Sequence, residues 1–178
     1  MHPQFPWDQI AGNRWPLLRL EQAQGKLPAM NQPLKLIALD PDDLAVISAH
    51  VQDARVQAAD IVWRQAEKRL VIGMNRLDWE QTLSGATSPR RLVAALRFDR
   101  VLACKSRNID LEAPERALDL VGIEFHAGDP PGGSALLLFD RGAALRLDVE
   151  CLECELTDLG TDDIGTSDLA IAPLGPEA

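Results

Sequence analysis

Hydrophobic and polar positions alternate with a period of two over most of the chain from 55 to 149, a pattern that is typical of β-strands with one buried face. The connections between these runs are too short for helical crossovers, so neighbouring strands are predicted to be antiparallel. DRVLACKS is either a strand of its own or a continuation of RLVAALRF past a bend. The predicted strand runs are RVQAADIVWR, KRLVIGMNRLDW, RLVAALRF, DRVLACKS, ALDLVGIEFH, SALLLF and AALRLDV.

A capped helix is predicted before this alternation. Asp40 followed by Pro41 is a strong start signal, because the carboxylate can cap the first turn and proline fits the first helical position. The helix is predicted to run to Gln52 or Asp53. Its apolar stripe consists of Leu44, Ile47 and Val51.

A second helix is predicted after residue 150. Cys151, Leu152, Leu156 and Leu159 recur at helical spacing, and Gly160 is a typical residue just past a helix end. Cys151 and Cys154 form a C-x-x-C pair on this predicted helix. Packing against the sheet is the favoured interpretation of both sulfurs. A zinc site needs ligands beyond this pair, and a redox pair is opposed by the neighbouring glutamates, so both remain alternatives.

These elements predict an α+β fold. It has an N-terminal helix, six or seven antiparallel strands in a bent sheet or partly open barrel, and a C-terminal helix packed on the sheet. A pleckstrin-homology-like barrel is one arrangement that fits this order. The predicted divisions are a loosely ordered N-terminal extension over 1–33, a single domain over 34–160, and an acidic flexible tail over 161–178.

The composition favours one ordinary globular domain. The chain has 178 residues, of which 46% are hydrophobic and 25% charged. No apolar run approaches the length of a membrane span, so no membrane partner is predicted. Three cysteines are too few for a disulfide framework, and the protein is predicted to be cytoplasmic. Trp7 and Trp15 in the N-terminal extension either stay loose or dock onto the domain as an arm.

Charge is unevenly distributed along the chain, whose net charge is −9. Residues 90–107 carry six basic side chains and one acidic one. After Arg146 there is no basic residue, whereas nine acidic residues follow. Phosphate backbones would repel this acidic end, so nucleic acid is not a predicted partner.

The basic stretch supplies the candidate ligand site. On a strand, Arg91 and Arg97 project to one face together with small side chains, while Leu92, Leu96 and their alternates project to the other. If Lys105 and Arg107 lie on an adjacent strand with the same facing, four cations would surround a place for a carboxylate or phosphate. The alternative is that these cations pair internally with the acidic C-terminal helix.

Signatures of catalysis are mostly missing from the sequence. It contains no Rossmann, phosphate-loop, zinc-protease or nucleophile-elbow motif, and no cofactor is predicted. Ser134 is interpreted as a turn residue. Asp78 could serve as an acid or base, but a surface ion pair is favoured because Arg76 is close in sequence. A non-enzymatic binding or adaptor role for a protein or a small anionic ligand is therefore favoured. The alternatives are an enzyme with a cysteine or carboxylate site and a structural subunit of a complex.

Four stretches resemble an uncharacterised proteobacterial family of small proteins with no assigned function. The resemblance covers Leu34 to Gly160 and depends on the order of these stretches along the chain, since no single stretch is diagnostic. It implies that the extension and the tail lie outside the shared domain, and it supplies no catalytic residue. The stretches are LKLIALDPDDLAVISAHVQDA, NRLDWE, RLVAALRFDRVL and LRLDVECLECELTDLG.

Overall fold

The computed structural model describes residues 33–85, 89–110 and 112–161. Within these ranges the fold is broadly α+β, with a mostly antiparallel sheet of ten strands rather than the six or seven predicted. None of the helices described is long and apolar enough to cross a membrane. The strands are β1 Lys35–Ala38, β2 Ala54–Gln57, β3 Ile61–Arg64, β4 Arg69–Leu77, β5 Arg91–Phe98, β6 Val101–Arg107, β7 Ala117–Ala127, β8 Gly133–Phe139, β9 Ala144–Val149 and β10 Cys154–Thr161.

Among the described residues, two α-helices accompany the sheet, α1 over Pro41–His50 and α2 over Trp79–Leu83. Asp40 caps α1, since its Oδ1 accepts the N–H of Asp43 at 2.8 Å. The helix ends before the predicted Gln52 or Asp53, because Asp53 adopts a left-handed backbone (φ 60°) that turns the chain into β2. Trp79 was predicted as a strand residue, and this is wrong because it begins α2.

The strand order is β1-β10-β5-β4-β2-β7-β8-β9-β6, and β3 pairs with β4 beside β2. The sheet is open and does not close into a barrel. It bends so that inward residues from both halves, such as Leu96 of β5 and Leu147 of β9, belong to one core cluster. Helix α1 packs against β1 and β7 and buries Leu44 and Ile47 in that core. Burial of these apolar side chains is the main favourable contribution to folding.

An ion pair lies inside this apolar core. Arg76 of β4 and Asp158 of β10 both face inward, and their side chains are only 3% and 8% exposed. Two parallel hydrogen bonds join them, from Nε to Oδ1 and from Nη2 to Oδ2, each 2.7 Å long. Bidentate geometry of this kind compensates part of the cost of removing two charges from water.

The predicted C-terminal helix is wrong. The segment forms β10, which pairs with β1 on one side and β5 on the other. Its inward residues are Cys154, Leu156 and Asp158, at strand spacing. The charge at the third inward position hid this alternation in the sequence and left the leucines at an apparent helical spacing. The final helix that a pleckstrin-homology-like barrel needs is therefore absent from residues 33–161.

The pairing corrects one other strand prediction and decides between two alternatives for another. The run RVQAADIVWR is split into β2 and β3 by a 3₁₀ turn at Ala58–Asp60, and both pieces pair with β4. A hairpin that turns through Gln65–Glu67 connects β3 and β4. RLVAALRF and DRVLACKS are separate strands, β5 and β6, which do not pair with each other. The predictions for the N-terminal extension, including Trp7 and Trp15, and for the acidic tail beyond Thr161 lie outside the described residues.

Candidate cation face on the outer sheet

The two predicted cations on β5 are held by the protein itself. The side chain of Arg91 donates from Nη1 to the backbone oxygens of Asn75 at 3.0 Å and Asp53 at 3.3 Å. Arg97 contacts Asp99 at 2.9 Å and Glu155 at 3.2 Å. Neither guanidinium is therefore free to form a complete bidentate pair with a ligand.

Lys105 and Arg107 lie on β6, away from the cations of β5. The neighbours of β5 are β4 and β10, whereas β6 pairs only with β9 among the described strands. The chain crosses from one half of the bent sheet to the other at Asp99 and Arg100. The four predicted cations are consequently not brought onto adjacent strands.

A different set of basic side chains meets on the outside of β6 and β9. Lys105 is directly opposite Arg146 in the register, and Arg107 is opposite Ala144. Positions two apart on one strand and directly opposite on the next share a face, so the three side chains are neighbours. We call this surface the cation face. Its residues are Lys105, Arg107, Arg146, Asp148 and Ser134.

Asp148 is the centre of the hydrogen bonds on this face. Its carboxylate accepts from Arg146 Nε at 3.0 Å and from the Ser134 hydroxyl at 3.0 Å, and it lies 3.9 Å from Lys105 Nζ. Arg146 also donates from Nη2 to the Ser134 oxygen at 3.2 Å. The side chains of Lys105 and Arg146 remain 66% and 56% exposed. Arg107 forms no ion pair with any residue that the structure describes.

Most other cations near the acidic C-terminal stretch are neutralised within the protein. The acidic partners come from the β9–β10 connection and from β10 itself, rather than from a helix. Internal pairing, the alternative raised for the basic stretch, thus holds for Arg97 in this geometry and not for Arg107. The pairs are Lys68 with Glu150, Arg100 with Glu153, Arg97 with Glu155, and Arg76 with Asp158.

Cys151 and Cys154 lie apart from the cation face, whereas Cys104 lies on β6 next to Lys105. Cys154 is buried on the inner side of β10, and Cys151 is half-buried in the preceding connection. Burial raises the pKa of the Cys104 thiol to about 12, and burial together with the charge of Glu155 raises that of Cys154 still further. Buried thiols of this kind pack as small apolar groups.

Thiol titration of the native protein at pH 8 should therefore modify Cys151 alone on the timescale of minutes. The shift of the Cys104 pKa from 9.0 to about 12 lowers its thiolate fraction at this pH by about a thousandfold. Unfolding in urea should release all three thiols. A Cys151→Ser variant should lose the native reaction, and rapid modification of Cys154 in the folded protein would contradict this assignment.

Asp78 and Ser134 occupy positions that differ from their predicted ones. Asp78 caps α2 by accepting the N–H of Gln81 at 3.1 Å, and its ion-pair partner is Arg90, at 3.1 Å, rather than Arg76. Ser134 lies within β8 rather than in the turn before it. Its hydroxyl donates to the carboxylate of Asp148 rather than to a histidine, so Ser134 is not arranged as an activated nucleophile.

Sequence reasoning missed Arg146 and Asp148. The alternation of AALRLDV placed both on the outer side of a strand, which was the available signal. Their importance depends on β9 pairing with β6, and nothing in the local sequence specifies that partner. No group of three or more His, Cys, Asp or Glu side chains in the described ranges could hold a metal ion, Cys151 and Cys154 included.

The fold and this face define a protein built on an open, bent antiparallel sheet, with a group of basic side chains at one edge. The chain belongs to a family of proteins of unknown function (DUF2948), which matches residues 34–169. The match extends nine residues past Gly160, where the sequence resemblance ends. No curated protein and no solved structure matches the chain.

Proposed function

We propose that this protein is a non-enzymatic binding or adaptor domain whose cation face takes an anionic group, carried by a protein partner or by a small ligand. One observation supports the proposal above others: Lys105 and Arg146 are directly opposite each other across β6 and β9. Like charges in this position oppose pairing of the strands. Asp148 offsets part of the repulsion, and a bound anion would offset the rest.

The position of the face suits an interaction with a partner. β6 is the last strand of the sheet order, so one side of it has no neighbouring strand among the described residues. The net charge of the chain is −9, yet three basic side chains and one acidic side chain meet at this edge. Carboxylates and phosphates are the groups that a lysine and two arginines bind best.

Phosphate should therefore raise the melting temperature of the protein in a saturable way when chloride is exchanged to hold ionic strength constant. Binding to the folded state stabilises it by about 2.7 kcal/mol at a hundred times the dissociation constant. A Lys105→Met/Arg107→Met double variant should bind phosphate at least tenfold more weakly, because two of the three cations are gone.

Arg64→Met is the matched control for this experiment. Arg64 is also a strand arginine, with its side chain 39% exposed, but it pairs with Glu67 at 3.1 Å and lies on β3. Its phosphate response should equal that of the unaltered chain. The proposal is wrong if the response does not saturate, or if the double variant retains it in full.

A further inference from the structure

A small cavity lies at one end of the bent sheet, where three connections meet. It has a volume of about 230 Å³. Its walls come from the start of the β6–β7 connection, from the β8–β9 turn and from the 3₁₀ turn that follows β2. The floor is apolar and consists of Ala58, Ile109, Leu118 and Ala143.

Hydrogen bonds tie these connections to one another. Asn108 donates from Nδ2 to the oxygen of Gly142 at 3.1 Å, which joins the β6–β7 connection to the β8–β9 turn. The N–H of Ala59 donates to the oxygen of Pro114 at 3.1 Å, which joins the same connection to the 3₁₀ turn. The cavity is thus held by the fold and does not depend on a single loose loop.

The β8–β9 turn adopts a backbone conformation that its sequence does not favour. Arg141 and Gly142 both have positive φ, 57° and 72°, as in the turns usually built from asparagine and glycine. An arginine there carries strain, and strain of this kind is characteristic of functional sites. Its side chain lies along the cavity, with Nε on Asp140 at 2.9 Å.

Groups of both charges remain available around the opening. Arg116 forms no ion pair with a described residue, and Arg141 Nη1 donates to none of them. Asp110 uses one oxygen to accept the N–H of Glu112 at 3.0 Å, and its other oxygen accepts nothing from the described chain. Asp140 is already engaged, because its carboxylate accepts hydrogen bonds from the Asp119 N–H and from the Arg141 side chain. These hydrogen bonds hold the pKa of the carboxyl below its ordinary value.

We infer that this cavity binds a small zwitterion of the amino-acid class, with its carboxylate on Arg116 and Arg141 and its ammonium on Asp110. The apolar floor would receive a short aliphatic side chain. The volume is below the roughly 300–1,000 Å³ of pockets that take drug-sized ligands, so a nucleotide or a larger cofactor is excluded by size. The lining of this cavity includes no residue of the cation face, although Asn108 directly follows Arg107, and the assignment does not rest on the proposed function.

The test compares three probes that share an aliphatic body: L-valine, isovalerate and isobutylamine. L-valine should raise the melting temperature in a saturable way, and the two single-charge probes should bind at least tenfold more weakly. Each lacks one charge-assisted hydrogen bond, and the loss of such a bond weakens binding by about tenfold or more. No saturable response to L-valine, or equal binding of isovalerate, would overturn the inference.

Arg116→Met and Asp110→Asn should each weaken L-valine binding at least tenfold, whereas Arg64→Met should leave it unchanged. Arg116 and Asp110 are exposed and the Arg64 side chain is 39% exposed, so the variants are expected to fold, which circular dichroism checks. The Lys105→Met/Arg107→Met variant should lose the phosphate response and keep the L-valine response. These variants therefore distinguish a failure of the cavity assignment from a failure of the cation-face proposal. Undiminished L-valine binding by Arg116→Met would contradict the cavity assignment.

Discussion

Replacement of Arg76 by methionine should lower the free energy of unfolding by about 3–5 kcal/mol. The change leaves Asp158 charged in the core, where its side chain is 8% exposed and has lost both hydrogen bonds from the guanidinium. Asp158→Leu should cost a similar amount, because it leaves Arg76 without its carboxylate. Urea denaturation followed by circular dichroism measures both changes.

The double variant Arg76→Met/Asp158→Leu is the informative control. Removal of both charges also removes the cost of burying them, so its free energy of unfolding should return to near that of the unaltered chain or exceed it. The double-mutant cycle should therefore show a strong coupling between the two sites. Additive losses would show that the two residues stabilise the fold through separate contacts.

Gly133→Ala is the second substitution with a large expected effect, a loss of about 3 kcal/mol in the free energy of unfolding. A Cβ at this position would lie 2.5 Å from Phe125 Cζ and 2.6 Å from the backbone oxygen of His126. The ring can move, but the oxygen belongs to β7, which pairs with β8 at this point. Thermal and urea unfolding measure the loss, and the adjacent Ser134 should be displaced from Asp148.

Gly122→Ala provides the comparison on the neighbouring strand. The nearest atom to its added Cβ is Ser48 Oγ at 3.6 Å, an ordinary van der Waals distance. Alanine also has less backbone entropy to lose than glycine, so this variant should be neutral or slightly stabilising. If both variants lose stability equally, chain entropy or strand propensity would be the cause rather than the contact at Gly133.

Local alternation was enough to predict several strands but not their partners. In β5, Leu92, Leu96 and Phe98 are buried, as the alternating pattern predicted. β10 was missed because Asp158 occupies an inward position, and the residue that makes this possible, Arg76, lies on β4. A long-range ion pair is invisible to a search for apolar periodicity within one segment.

The site was partly predictable for the same reason. Lys105 and Arg107 were identified from local charge, and the structure places both on the outside of β6. Their partner Arg146 lies far along the chain, and the pairing of β6 with β9 depends on how the whole sheet bends. Arg91 and Arg97 were grouped with them only because they are close in sequence, and sequence proximity fails where the chain crosses from one half of the sheet to the other.

The position of β10 between β1 and β5 has a consequence for synthesis of the protein. During translation, β1 is synthesised early, whereas its partner β10 is synthesised more than a hundred residues later. Until then, the backbone groups of β1 and one side of β5 are open to other chains, a state that invites aggregation. Ribosome-bound chains arrested before Cys154 should accordingly depend on chaperones. Once β10 has left the ribosome, the sheet should form in one cooperative step.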